Sequence, residues 1–145
     1  MKLKVLFLCT GNSCRSQMAE AWANRLRGDR LEAWSAGTHP KAIDPLAVRA
    51  MLEHGIDISA ARSKHVKDLL SIPFDYVVTV CDAASQECPI FPGKARIVHQ
   101  GFDDPPRLSA AARTDEERMA PYRRVCLDIR DYVLTLPGAL TNPVG

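Results

Sequence analysis

"LFLCTGNSCRSQMAEAW", residues 6–22, decides how this chain is read. An apolar run ends at Cys9, Gly11 and Asn12 follow, and Arg15 and Ser16 stand where a helical pattern begins. A loop between a strand and a helix can aim consecutive backbone N–H groups at one point, and such a nest binds anions. Gly11 is expected to let the backbone turn tightly. Asn12 tolerates positive φ, and its side chain can pin the loop. Arg15 offers a planar fork to two oxygens of a tetrahedral oxyanion. Cys9 sits at the floor of the nest, where the same positive field favours thiolate. Cysteine pKa values at such sites fall from ~8.5 to roughly 3.5–7.5, and Ser16 can donate a hydrogen bond to the thiolate. The expected oxyanion-binding set is therefore Thr10, Gly11, Asn12, Ser13, Cys14, Arg15 and Ser16. Within it Cys14 has no chemical role of its own and reads as filler.

Outward from this stretch the pattern alternates. "KVLFLC" (4–9) is a continuous β-prone run of the kind buried on both faces of a sheet. Met18, Trp22 and Leu26 mark a helix from Ser16 to Arg27, with Gly28 in the C′ position. "LEAWSAG" (31–37) is a second strand. Asp44, Pro45 and Gly55 frame a helix as N-cap, first position and stop. "SKHVKDLL" (63–70) is a short helix, "YVVTV" (76–80) a third buried strand and "ARIVH" (95–99) a fourth. Thr114 and Glu117 form a capping box for a last helix, whose apolar face is Tyr122, Val125, Cys126, Ile129 and Val133. Pro121 is expected to kink or restart that helix. The tail from about 137 reads as loose loop.

This alternation implies one α/β domain over residues 1–145: a four-stranded parallel sheet flanked by helices on both faces. Sites on such sheets form at the carboxyl ends of the strands. Cys9 ends strand one, Cys81 follows strand three and Asp104 follows strand four, so the three converge on one edge.

The bulk numbers agree with a single globular domain. The chain has 145 residues, 46% apolar and 25% charged, with 19 basic against 17 acidic side chains. No basic stripe suggests nucleic acid. The opening apolar run is too short for a signal core or a membrane span, so the expected compartment is the cytoplasm. Five cysteines, an odd number, argue against a secreted disulfide framework. Cys126 lies on an apolar helical face and reads as core. His39, His54, His65 and His99 show no paired arrangement. Cys81 and Cys88 are spaced too widely for the usual zinc pair, and no second ligand pair accompanies them, so neither metal nor cofactor is expected.

"CTGNSCRS" resembles the oxyanion loop of the low-molecular-weight protein tyrosine phosphatase fold. The continuation "SQMAEAW", then "SAGT", "VVTVC" and "GFDDP", resembles the thioredoxin-coupled arsenate reductases built on that fold. The likeness runs from about Val5 to Pro105. The resemblance implies that Cys9 attacks arsenate held in the loop by Arg15, and that Asp104 protonates the departing hydroxyl. Cys81 then attacks Cys9, releasing arsenite, and Cys88 attacks Cys81. The final Cys81–Cys88 bond is presented to thioredoxin, with phosphate or sulfate as competing oxyanions and a monomeric enzyme. A helix between Cys81 and Cys88 would hold their Cα atoms ~10 Å apart, whereas a disulfide needs roughly 4.4–6.8 Å. The exchange would therefore unwind the segment. The alternative is a tyrosine phosphatase, but that family's late "DPY" is missing here, and Gln17 stands where those enzymes usually carry proline.

Some such reductases bind potassium beside the loop, through residues matching Asn12, Glu20 and Ser35. Lys64 stands where those relatives place an acidic ligand. The expectation is that Lys64 braces the loop through Glu20 and that potassium is not needed.

Overall fold

The computed structural model describes residues 2–91, 93 and 95–141. Its centre is a four-stranded sheet in the order β2-β1-β3-β4, with β1 Leu3–Cys9, β2 Leu31–Gly37, β3 Tyr76–Thr79 and β4 Arg96–His99. All pairs are parallel, and the register sets Cys9 beside Gly37, Leu8 beside Thr79, and Thr79 beside His99. Successive side chains of a strand point to opposite faces. Val5, Leu6, Phe7 and Leu8 are all fully buried, so both faces of β1 are covered. β4 differs from the expected buried strand. It is the edge of the sheet, with Arg96, Ile97 and His99 exposed and Val98 half-buried.

Helix α1 (Arg15–Arg27) follows β1 and packs on β1 and β2. Gly28 ends it at φ −62°, not in the left-handed C′ conformation, so its glycine character is not used for capping. Helix α2 (Pro45–Leu52) is capped by Asp44, whose Oδ1 accepts from the Leu46 amide at 2.9 Å. It stops through a Schellman pair: Ile56 N–H donates to Met51 O at 3.2 Å and Gly55 N–H to Leu52 O at 2.9 Å. Gly55 takes φ +75° at the C′ position that glycine favours.

A 3-10 turn at Val66–Leu69 leads into β3. Helix α3 (Asp82–Gln86) joins β3 to β4, and α4 (Pro105–Leu108) and α5 (Asp115–Val133) follow. Thr114 caps α5 by accepting from Glu117 N–H at 3.1 Å, and Glu117 Oε2 accepts from Arg113 N–H at 2.8 Å. α5 runs unbroken through Pro121 instead of restarting there. An interior proline costs ~3 kcal/mol. Met119, Tyr122, Val125, Cys126, Ile129 and Val133 are all buried where α5 packs on α1 and α2. Each fully buried aliphatic among them contributes about 1.5–3 kcal/mol, so the packing outweighs the proline. Gly138–Thr141 forms a short final helix, α6, with Leu140 buried. The tail is therefore packed as far as residue 141, and residues 142–145 lie outside the described part. No described helix is long and apolar enough to cross a membrane.

Candidate active site

The carboxyl edge of the sheet opens into a cavity of about 580 Å³, lined by Cys9, Thr10, Gly11, Ser13, Cys14, Arg15, Cys81 and Asp104 among others. Its floor is the loop 10–14 between β1 and α1. Every carbonyl of this stretch is turned away and paired. Those of Cys9, Thr10, Gly11 and Ser13 accept from the amides of Thr38, His39, Lys41 and Asp44 at 2.8–3.2 Å. The Asn12 carbonyl accepts from Ser63 Oγ at 2.8 Å and Gln17 Nε2 at 3.1 Å, and the Cys14 carbonyl from Met18 N–H at 3.0 Å. Segment 38–44 is thus a strap along the back of the loop. The amides of Gly11 to Ser16 find no acceptor among the described residues. Such a set of unpaired donors at a helix start is an anion nest.

Asn12 is the loop's fixed point. It takes φ +48° and is fully buried. Its Nδ2 donates to Ser16 Oγ at 2.9 Å, while its Oδ1 accepts from Lys64 N–H at 2.8 Å and Gln17 Nε2 at 3.1 Å. Ser16 therefore serves Asn12, and among the described residues it makes no hydrogen bond to Cys9. Gln17 Nε2 also reaches Arg62 O at 3.0 Å. Gln17 and Ser63 are positioning residues that motif reading passed over. The signal was a buried glutamine where phosphatases usually carry proline.

Gly37 acts through space. A Cβ on Gly37 would fall 2.5 Å from Thr10 O and 3.0 Å from Asn12 N, so β2 can lie against the loop only without a side chain there. Gly11 does not take positive φ. The chain bends through residues 10–14 without it, and a Cβ there would meet the flexible Lys41 side chain at 2.8 Å.

Cys9 Sγ lies 3.7 Å from Cys81 Sγ, and Thr10 Oγ1 lies 3.3 Å from Cys81 Sγ. The Cys9 thiol, donating to Cys81, pushes Cys81 down to about 5; Thr10, the Ala84 amide and Arg15 add to this, and burial opposes it. Cys9 is raised, first by that same bond and then by burial, although Arg15 opposes the rise. The low pKa expected of Cys9 falls on Cys81 instead, because the Cys9 thiol donates to it. That hydrogen bond favours the first thiolate, and repulsion between two thiolates holds the second proton. Cys14 is buried and raised, chiefly by burial and then by Asp44. Cys126 is fully buried in the core and raised by burial.

Arg15 is anchored by its Nη1, which donates to Phe102 O at 2.9 Å, while Nη2 stands 3.7 Å from Asp104 Oδ1. Asp104 is at the N-cap of α4, yet its carboxylate makes no capping bond. Asp103 instead pairs with Arg124 at 2.9 Å. Of the two neighbouring acids, Asp104 is the one that lines the cavity.

Cys81 is buried at the start of α3, and Cys88 lies half-buried two residues past its end. Burial raises the Cys88 thiol. Behind the loop, Ser35 Oγ donates to Glu20 Oε1 at 3.0 Å, and Lys64 Nζ stands 3.8 Å from the same oxygen. A lysine cation beside Glu20 does not fit a potassium ion at that carboxylate. Two of the four histidines meet carboxylates at the surface, His39 at Glu87 and His99 at Asp82.

A parallel four-stranded sheet with a cysteine-to-arginine anion loop at its carboxyl edge defines the phosphatase-type oxyanion fold. The chain belongs to the low-molecular-weight phosphotyrosine protein phosphatase family, whose profile matches residues 4–102. It is 48% identical over 134 residues to an arsenate reductase of Halalkalibacterium halodurans, covering 92% of this chain and 94% of that one. It is 46% identical over 121 residues to an arsenate reductase of Bacillus subtilis, covering 83% and 85%. A solved structure described as an arsenate reductase in the phosphate binding state superposes with a TM-score of 0.74 at 28% identity, covering 94% and 96%.

Proposed function

We propose that this chain reduces arsenate to arsenite with electrons from its own thiols, and that thioredoxin restores them. The observation that carries the reading is the pair of sulfurs 3.7 Å apart in the anion cavity, with a third cysteine beyond the short helix α3. A hydrolytic phosphatase needs one such thiol; a reductase needs a second to resolve the adduct.

Arsenate rests in the nest with its oxygens on the loop amides and Arg15. Cys9 attacks arsenic as its proton passes to the Cys81 thiolate 3.7 Å away, and Asp104 delivers the proton with which one hydroxyl leaves as water. Cys81 then attacks Cys9 Sγ. The sulfur–arsenic electron pair stays on arsenic, which departs as arsenite, and a Cys9–Cys81 disulfide remains. Cys88 attacks Cys81 Sγ and expels Cys9 as thiolate. The dithiol of thioredoxin reduces the resulting Cys81–Cys88 bond. Asn12, Glu20, Ser35 and Lys64 support the loop throughout. The same reading makes the chain a cytoplasmic monomer, with phosphate and sulfate as competitors for the nest.

The test couples the purified chain to thioredoxin, its reductase and NADPH, beside an aryl phosphate assay. Arsenate-dependent oxidation of NADPH is expected. Aryl phosphate hydrolysis with no arsenate-dependent oxidation would make the chain a phosphatase.

A further inference from the structure

Two histidines close on the ends of α3. Asp82 is its first residue and Glu87 the residue that ends it. His99 Nε2 lies 3.1 Å from Asp82 Oδ1, and His39 Nε2 lies 3.1 Å from Glu87 Oε2. His99 is fixed from behind, with its Nδ1 2.8 Å from the hydroxyl of Thr79, a fully buried residue of β3. With that hydroxyl donating to Nδ1, Nε2 carries the hydrogen and donates to the carboxylate. His39 is tied to the anion loop, its own amide donating to Thr10 O at 2.8 Å. One clasp therefore joins α3 to β4, and the other joins it to the strap behind the loop. α3 has five residues and no side-chain cap at Cys81. A helix so short does not hold itself.

We propose that His39 and His99 are positioning residues that keep α3 wound, and so keep the Cys81 and Cys88 thiols apart until the second exchange. This rests on the thiol relay proposed above. Seven helical steps would separate two Cα atoms by ~10 Å, against roughly 4.4–6.8 Å in a disulfide, and α3 holds five of the six residues between the two cysteines in that geometry. Forming the Cys81–Cys88 bond must draw Cys88 toward the sheet edge and pull its neighbour Glu87 off His39. Each clasp is solvent-exposed, so each shifts the equilibrium by only a few-fold.

The test is redox equilibrium in a Cys9→Ser chain with no arsenate present. Oxidised glutathione takes up two electrons as the Cys81–Cys88 dithiol closes, and alkylation with mass spectrometry reads the fraction closed. His39→Ala and His99→Ala are each expected to raise the equilibrium constant for closure about threefold, or ~14 mV at 29.6 mV per tenfold. The double variant should show the product of the two, since the clasps are at opposite ends. His39→Gln retains an N–H donor toward Glu87 and should match the parent. Alanine variants with the parent's constant, or a glutamine variant shifted as far as alanine, would overturn the proposal. A chain that closes no Cys81–Cys88 bond in any buffer overturns the relay instead. Hydrogen exchange in the reduced chain, with Cys9 intact, reads the clasps without the relay. The amides of Ser85 and Glu87, bonded to Cys81 O and Ala83 O, should exchange faster in both alanine variants. Unchanged exchange there also overturns the proposal.

Discussion

The sulfurs of Cys9 and Cys81 lie 3.7 Å apart at the carboxyl ends of adjacent strands, 72 residues apart in the chain. This contact makes the pair one titrating unit with one easily formed thiolate. Ultraviolet thiolate absorbance should show a first thiolate with a midpoint near 5, the value to which Cys81 is pushed, and the second above the ordinary thiol range, in the direction in which Cys9 is raised. Cys81 is lower folded than its unfolded ~8.5, so its contribution is fully present above that value and is lost as pH falls toward 5. The denaturant midpoint of the parent should therefore rise with pH across this window more than that of Cys81→Ser. Parallel pH profiles for the two would refute the shared thiolate.

Removing single thiols should separate the steps. Cys9→Ser is expected to abolish both arsenate reduction and any phosphatase activity. Cys81→Ser should stall at the first adduct, because no other thiol reaches Cys9. Cys88→Ser should complete one turnover and trap a Cys9–Cys81 disulfide, identified by peptide mapping after one arsenate addition. A trapped bond to Cys14 or Cys126 would mean that the order of attack is wrong. Both are buried, and their thiols are raised.

The two neighbouring acids should respond differently. Asp104 lines the cavity, and general-acid catalysis typically contributes 10²–10⁴-fold, so Asp104→Asn should lower kcat on about that scale. Asp103 is spent on an exposed pair with Arg124, which is worth at most about 1 kcal/mol of stability. Asp103→Asn should keep kcat near the parent value. Equal losses in the two variants would count against Asp104 as the proton donor.

What was legible in the sequence was local. Strand β1, the loop and α1 are consecutive, so their residue order alone specified a nest with Cys9 at its base and Arg15 at its rim. The carboxyl-edge rule brought Cys81 and Asp104 to the same place without any contact information. The misreadings concern partners far along the chain. Gln17 reaches the Arg62 carbonyl across 45 residues, and Ser63 the Asn12 carbonyl across 51. Ser16 turns to Asn12 because Asn12 needs a partner for its amide. Pro121 carries a breaker's signature, but the six side chains buried around it on α5 decide the outcome. β4 looked buried because "ARIVH" is apolar enough for a core strand, and only the strand order makes it an edge.

Lys64 is held through both its backbone and its side chain. Its amide holds Asn12 Oδ1 at 2.8 Å, and its ammonium stands 3.8 Å from Glu20, which also accepts from Ser35. The ammonium also donates to Arg62 O at 3.0 Å, so it is tethered and does not sweep through solvent. A compact lysine cation can serve a carboxylate as a bound metal ion would. It also repels a second cation at short range, by on the order of a few kcal/mol at an effective dielectric near 20. Arsenate KM, measured at constant ionic strength, should therefore be the same with sodium or potassium as the only alkali cation. Lys64→Ala should raise KM more than it changes kcat, because Glu20 loses its cation while the Lys64 amide bond to Asn12 survives. Lys64→Asp replaces the ammonium with a carboxylate beside Glu20 and should make KM fall when potassium replaces sodium. A several-fold drop in KM with potassium in the parent chain would show that Lys64 leaves the carboxylate free, and the bracing role would fall with it.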